Sequence, residues 1–212
     1  MSENSAPLAH QFDDLAQQKE TATLGMWTFL ITEVLFFGGL FAGYAEYRAR
    51  YPQAFAAGSH ELDIALGTIN TAVLIASSLT VALGVRAAQL GRRIQTVVSL
   101  MLSVLLGLVF LGIKALEYAH KFQHHLVPGY NFSFNGPPET QIFFSFYFVM
   151  TGMHALHMVV GIGLISTIAY FAWKGRYSPD YYGPVEVGGL YWHFVDVIWI
   201  FLFPLLYLLE RH

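Results

Sequence analysis

Cysteine is missing from all 212 residues, which excludes disulfides, covalently attached c-type haem, thiolate zinc, iron–sulfur clusters and thiolate-bridged copper on this chain. Any metal would have to be held by His and carboxylate. Charge is scarce as well: Asp, Glu, Lys and Arg make up 12% of the residues, where an ordinary soluble domain carries about a quarter. The net charge of -3 leaves no basic excess, so nucleic acid is not a partner. Residues 1–23 hold Asp13, Asp14 and Glu20 against Lys19 and lack the basic start and apolar core of a cleavable signal peptide. There is no His-Glu-x-x-His pattern, no Gly-x-Ser-x-Gly turn and no internal repeat. The last absence argues against a transporter built from duplicated halves.

What is abundant is apolar sequence, 55% of the chain. A spanning helix needs about 20 mostly apolar residues, and five segments qualify: Leu24 to Tyr44, Leu62 to Val85, Ile94 to Glu117, Ile142 to Trp173 and Val187 to Leu209. The expected fold is all-α, a polytopic membrane bundle of five transmembrane helices occupying residues 24–209. A polar segment, 1–23, precedes it and a short tail, 210–212, follows. Tyr51-Pro52, Gly91-Arg92-Arg93, Asn135-Gly136-Pro137-Pro138 and Ser178-Pro179-Asp180 read as turns between the spans. Six basic residues on the N-terminal side (Lys19, Arg86, Arg92, Arg93, Lys174, Arg176) face four or five on the other (Arg48, Arg50, Lys121, Arg211, with Lys114 near a helix end). That excess places the N-terminus in the cytoplasm.

Ionisable side chains inside a spanning helix are costly, so each needs a partner or a purpose. Glu33 sits about ten residues into the first span; it reads either as a proton-related or lipid-headgroup-binding carboxyl or as a hydrogen-bonded lock between helices. Gly39 and Gly43 have the spacing of close helix packing, and Asn70 and Ser77 that of hydrogen bonds across an interface. His154 and His157 project from nearly one face, and His193 and Asp196 repeat their spacing, so a cluster of three imidazoles and one carboxylate is conceivable. Metal or haem ligation and inter-helix bonding are both open on spacing alone. Lys114, Glu117, Lys121 and His124 read as one polar stripe on a solvated helix end. Trp27, Trp173, Trp192 and Trp199 read as an interfacial aromatic belt.

Five stretches taken together resemble a known family. They are Ile31-Thr-Glu-Val-Leu-Phe-Phe, Ile69-Asn-Thr-Ala-Val-Leu-Ile-Ala-Ser, Glu117-Tyr118, Gly152-Met-His-Ala-Leu-His and Tyr191-Trp-His-Phe-Val-Asp. In order and content they resemble subunit III of the haem-copper cytochrome c and quinol oxidases, in a five-helix form that lacks the two N-terminal helices of many members. The resemblance implies an auxiliary subunit of a bacterial proton-pumping oxidase, with no catalytic residue and no metal ligand of its own. Haem and copper would lie on partner subunits, chiefly catalytic subunit I. It also implies support of complex stability and proton uptake, bound phospholipid, and a place in the bacterial inner membrane, within a larger respiratory supercomplex in some cases. Glu33, His154, His157, His193 and Asp196 match the family's buried polar positions, which favours structural or lipid-binding roles. A quinol oxidase subunit or an accessory protein of nitric oxide reductase is the alternative.

Overall fold

Hydrocarbon offers no water to backbone N–H and C=O groups, so long apolar runs must bond internally, as helices. The computed structural model describes residues 10–129 and 131–209; the expected tail 210–212 and the first nine residues lie outside that range. Six α-helices follow in order: α1 (Leu15–Arg50), α2 (Pro52–His60), α3 (Ile64–Gln89), α4 (Arg93–Gln123), α5 (Thr140–Trp173) and α6 (Gly183–Phe203). The last continues through a π-helical turn, Pro204–Leu208. All but α2 are long and apolar enough to cross a membrane, and no strand occurs among the described residues. The chain is an all-α, multi-pass membrane protein.

The helices run past the apolar segments because polar side chains secure their ends. Asp14 caps α1, its carboxylate accepting the Gln17 N–H at 2.7 Å. One turn on, Lys19 reaches Glu186 at 3.2 Å and the Tyr182 hydroxyl at 3.1 Å, beside α6. The stretch expected as a polar segment ahead of the first span is therefore helical from Leu15. Pro52, expected in a turn, instead opens α2, since the first helical position needs no amide donor. Its Phe55 is fully buried and meets Tyr44 and Phe143 edge-on.

α6 is the axis of the bundle, packing on α3, α5 and α1, while α3 and α4 form a close antiparallel pair. The tightest junction is at Trp192. A Cβ on Gly107 of α4 would lie 2.8 Å from its ring, and one on Gly161 of α5 would lie 3.2 Å away. The missing side chain at Gly107 leaves the indole its room, and a methyl at Gly161 would press on it by a few tenths of an ångström, so three helices share that ring. α1 is the most peripheral span, with Leu24, Trp27, Ile31 and Leu35 on an exposed apolar face. Such a face is stable only against lipid or another apolar surface.

Candidate functional site

The polar groups at membrane depth separate into three places rather than one. The first is a bond between α1 and α5: Glu33 Oε2 lies 3.1 Å from His157 Nε2. His157 Nδ1 is 2.8 Å from the Met153 carbonyl, which can only accept, so the Nδ1 proton is fixed there. A single further proton then joins Nε2 and the carboxyl, as neutral acid and imidazole or as an ion pair. Phe37 packs edge-on against the imidazole, and the Tyr191 hydroxyl donates to the His157 carbonyl at 3.1 Å.

The second place is the C-terminal half of α4. Lys114 and Glu117 are each only 4% exposed and form an ion pair at 2.9 Å. Lys114 also donates to the hydroxyls of Tyr147 at 3.2 Å and Tyr207 at 3.0 Å, which uses all three ammonium protons. Those two hydroxyls in turn donate to Glu117 Oε1, at 2.9 and 2.6 Å. The ammonium lies 5.0 Å from the Tyr147 ring centre and 5.2 Å from that of Trp199, within cation–π range. One turn further, Lys121 donates to the Glu61 carbonyl. The solvated stripe expected from spacing is thus corrected for Lys114, Glu117 and Lys121, which are buried. Their partners on other elements come from α5, from the turn after α6 and from the end of α2, which spacing along α4 does not reveal.

The third place lies between α3 and α6. His193 Nδ1 is 2.7 Å from Ser78 Oγ. Asp196, one turn along, is 4% exposed, and neither carboxyl oxygen forms a hydrogen bond of good geometry, although Ser78 stands close by. Both residues line a groove of about 320 Å³ with Thr71, Ile75, Val197 and Ile200.

The conceivable cluster of His154, His157, His193 and Asp196 does not assemble. His157 faces α1 and His193 faces α3, while His154 Nε2 donates to the Val195 carbonyl at 3.1 Å, with the ring between Phe110 and Trp199. Since a carbonyl only accepts, Nε2 carries the proton and buried Nδ1 is left without a partner among the described residues. No group of three or more His, Asp or Glu placed to hold a metal ion occurs among the described residues.

Gly39 meets nothing within 4 Å, so the close packing expected there is not made among the described residues; Gly43 does lie under Phe146, at 3.3 Å from a built Cβ. Asn70 is fully buried, yet its amide has no hydrogen-bond partner among the described residues. The cross-helix bonds form one face-repeat away, where Ser77 donates to the Ser103 carbonyl and accepts from Trp192 Nε1. Trp192 and Trp199 are buried, with the Trp199 N–H on Thr71, whereas Trp27 and Trp173 are exposed. The aromatic-belt reading is corrected for the first two: they are core, and their satisfied N–H groups explain why α6 tolerates them there.

The family comparison spans the whole bundle. The sequence profile of cytochrome c oxidase subunit III matches residues 10–210. The chain is 36% identical to cytochrome c oxidase subunit 3 of Thermostichus vulcanus, over 94% of this chain and 92% of that one. It is 32% identical to the Corynebacterium diphtheriae protein of the same name, over 89% and 88%, and 29% identical to that of Gallus gallus, over 86% and 67%. With five helices able to span a membrane and a family match over residues 10–210, the chain belongs to the cytochrome c oxidase subunit III family.

Proposed function

We infer that this member of the family is the cofactor-free auxiliary subunit of a bacterial, proton-pumping haem-copper oxidase, seated in the bacterial cytoplasmic membrane with its N-terminus inside. Haem and copper reside on partner subunits, and the chain binds beside catalytic subunit I. It contributes stability, supports proton uptake into its neighbour, and holds phospholipid on its apolar wall. The observation that carries this reading is the end-to-end match to relatives named cytochrome c oxidase subunit 3. It gains support from the disposition of most buried ionisable groups, which join elements of the bundle: Glu33 to His157, Lys114 and Glu117 to Tyr147 and Tyr207, and Lys121 to the Glu61 carbonyl. Side chains bonded in this way hold geometry.

The test is to isolate the native oxidase with and without this chain. The expected result is an unchanged haem spectrum and an initial oxygen-reduction rate close to that of the complete enzyme, with activity decaying faster during turnover. Loss of haem absorbance in the depleted complex would overturn the reading, because it would place cofactor on this chain.

A further inference from the structure

We propose that the groove between α3 and α6 is a docking surface for a spanning helix of a neighbouring oxidase subunit, which sets a hydrogen-bond-donor side chain on Asp196. The inference rests on the chain being an oxidase subunit and names the face by which it joins the complex. The groove's rim is exposed and apolar, with Ile75, Leu79, Val197 and Ile200 turned outward. At its floor sits a carboxyl that the described residues do not satisfy. Ser78 has one proton to give and already contacts His193, so at least one Asp196 oxygen stays without a donor in either imidazole tautomer. Protonating the acid removes the charge and leaves an O–H and a C=O in the same position, still in need of partners.

Depth decides what can supply them. Asp196 is 13 residues from Gly183 and 12 from Leu208, the ends of the apolar helix. At 1.5 Å per residue that is close to 20 Å from either end, near the middle of hydrocarbon about 30 Å thick. A lipid headgroup does not reach that level, and an acyl chain filling the groove would leave the carboxyl as it is. A neighbouring helix carries side chains at every depth. A Ser, Thr, Asn, Gln or Trp on its contact face can donate to Asp196 while its apolar residues cover Ile75 and Ile200.

The experiment uses the assembled oxidase. A photo-activatable phenylalanine analogue is placed at Ile75 or Ile200, the complex is irradiated in membranes, and the adducts are identified by mass spectrometry. In parallel, Asp196→Leu and Asp196→Asn are scored for retention of this subunit on purification. The expected result is an adduct with a spanning segment of another oxidase subunit, with Asp196→Leu releasing the subunit about five- to tenfold more readily than Asp196→Asn, whose amide still accepts. Adducts with lipid alone, or equal retention of the wild type and both variants, would overturn the docking surface while leaving the oxidase assignment intact. A chain that purifies with no oxidase subunit in any variant would instead sink the assignment on which the inference rests.

Discussion

Glu117 and Asp196 are equally buried, each 4% exposed, and yet their surroundings are opposites. Glu117 is enclosed by Lys114, Tyr147 and Tyr207, and every ammonium proton and phenol proton in that knot is engaged. Asp196 has apolar neighbours, an open groove and at most one shared hydroxyl. A closed polar knot is internal architecture and holds three elements of one chain together. An open one at the rim of a membrane protein is half of a contact. Burial by itself therefore does not tell a structural acid from an interfacial one; the donor inventory does.

The sharpest way to break this contrast is to remove one member of the closed knot. Lys114→Leu leaves the Glu117 carboxyl uncompensated between two phenols and is expected to cost about 3–5 kcal/mol. The loss should be visible as a lowered melting temperature of the purified complex. Replacing both partners, Lys114→Leu with Glu117→Leu, should recover much of that loss, because no charge is then stranded. If the double variant is as unstable as the single one, the knot is not a self-contained unit. Asp196→Leu, by contrast, should leave the subunit's own helix packing intact and act on its attachment.

Packing supplies an effect of middle size. Gly107→Ala would drive a methyl against Trp192 and displace α6 from α4, at about 1–3 kcal/mol. The same change at Gly39, where a Cβ meets nothing, should be silent for the fold of this chain. Thermal unfolding of both variants, followed by tryptophan fluorescence, checks the pair. Equal destabilisation would mean that Gly39 is covered in the assembly by a close-packed neighbour. Tyr207→Phe falls in the same range, since it removes a donor to Glu117 and an acceptor for Lys114 at about 1–3 kcal/mol.

The five spans were legible in the sequence because hydrocarbon thickness imposes a minimum length on any run that crosses it, and the runs around Phe37, Leu74, Phe110, Met158 and Val195 all exceed it. Their ends were less so: Asp14, Lys19 and Glu186 extend α1 through a cap and a bridge to α6 that hydropathy does not register. The Glu33 site was half legible, as an acid in need of a partner, while His157 became that partner only once α1 was seen against α5. Lys114 and Glu117 were misplaced because charge near a helix end suggests water, and the hydroxyls that enclose them lie 30 or more residues away in the chain. Trp192 and Trp199 were misplaced for the converse reason. An indole suits both an interface and a core, and Ser77 and Thr71, which accept their N–H groups, sit on another helix.

The smallest effect sharpens the comparison most, because the Glu33–His157 bond stands between the two extremes: paired like Glu117, yet at the edge of the bundle, with side chains 18% and 14% exposed. Since His157 Nδ1 is committed to the Met153 carbonyl, Nε2 can face either an acid O–H as acceptor or a carboxylate as donor. Glu33→Gln reproduces the first arrangement, with an amide N–H donated to Nε2, and should cost less than about 1 kcal/mol. Glu33→Ala removes the bond and loosens α1, the span least buried in the bundle, so the purified complex should lose bound phospholipid and melt earlier. The measurement is lipid phosphorus per complex together with the melting curve of each variant. If Gln is as damaging as Ala, the bond is an ion pair that needs a charged carboxylate; if both match the wild type, α1 is held by its apolar contacts and the carboxyl has no special part.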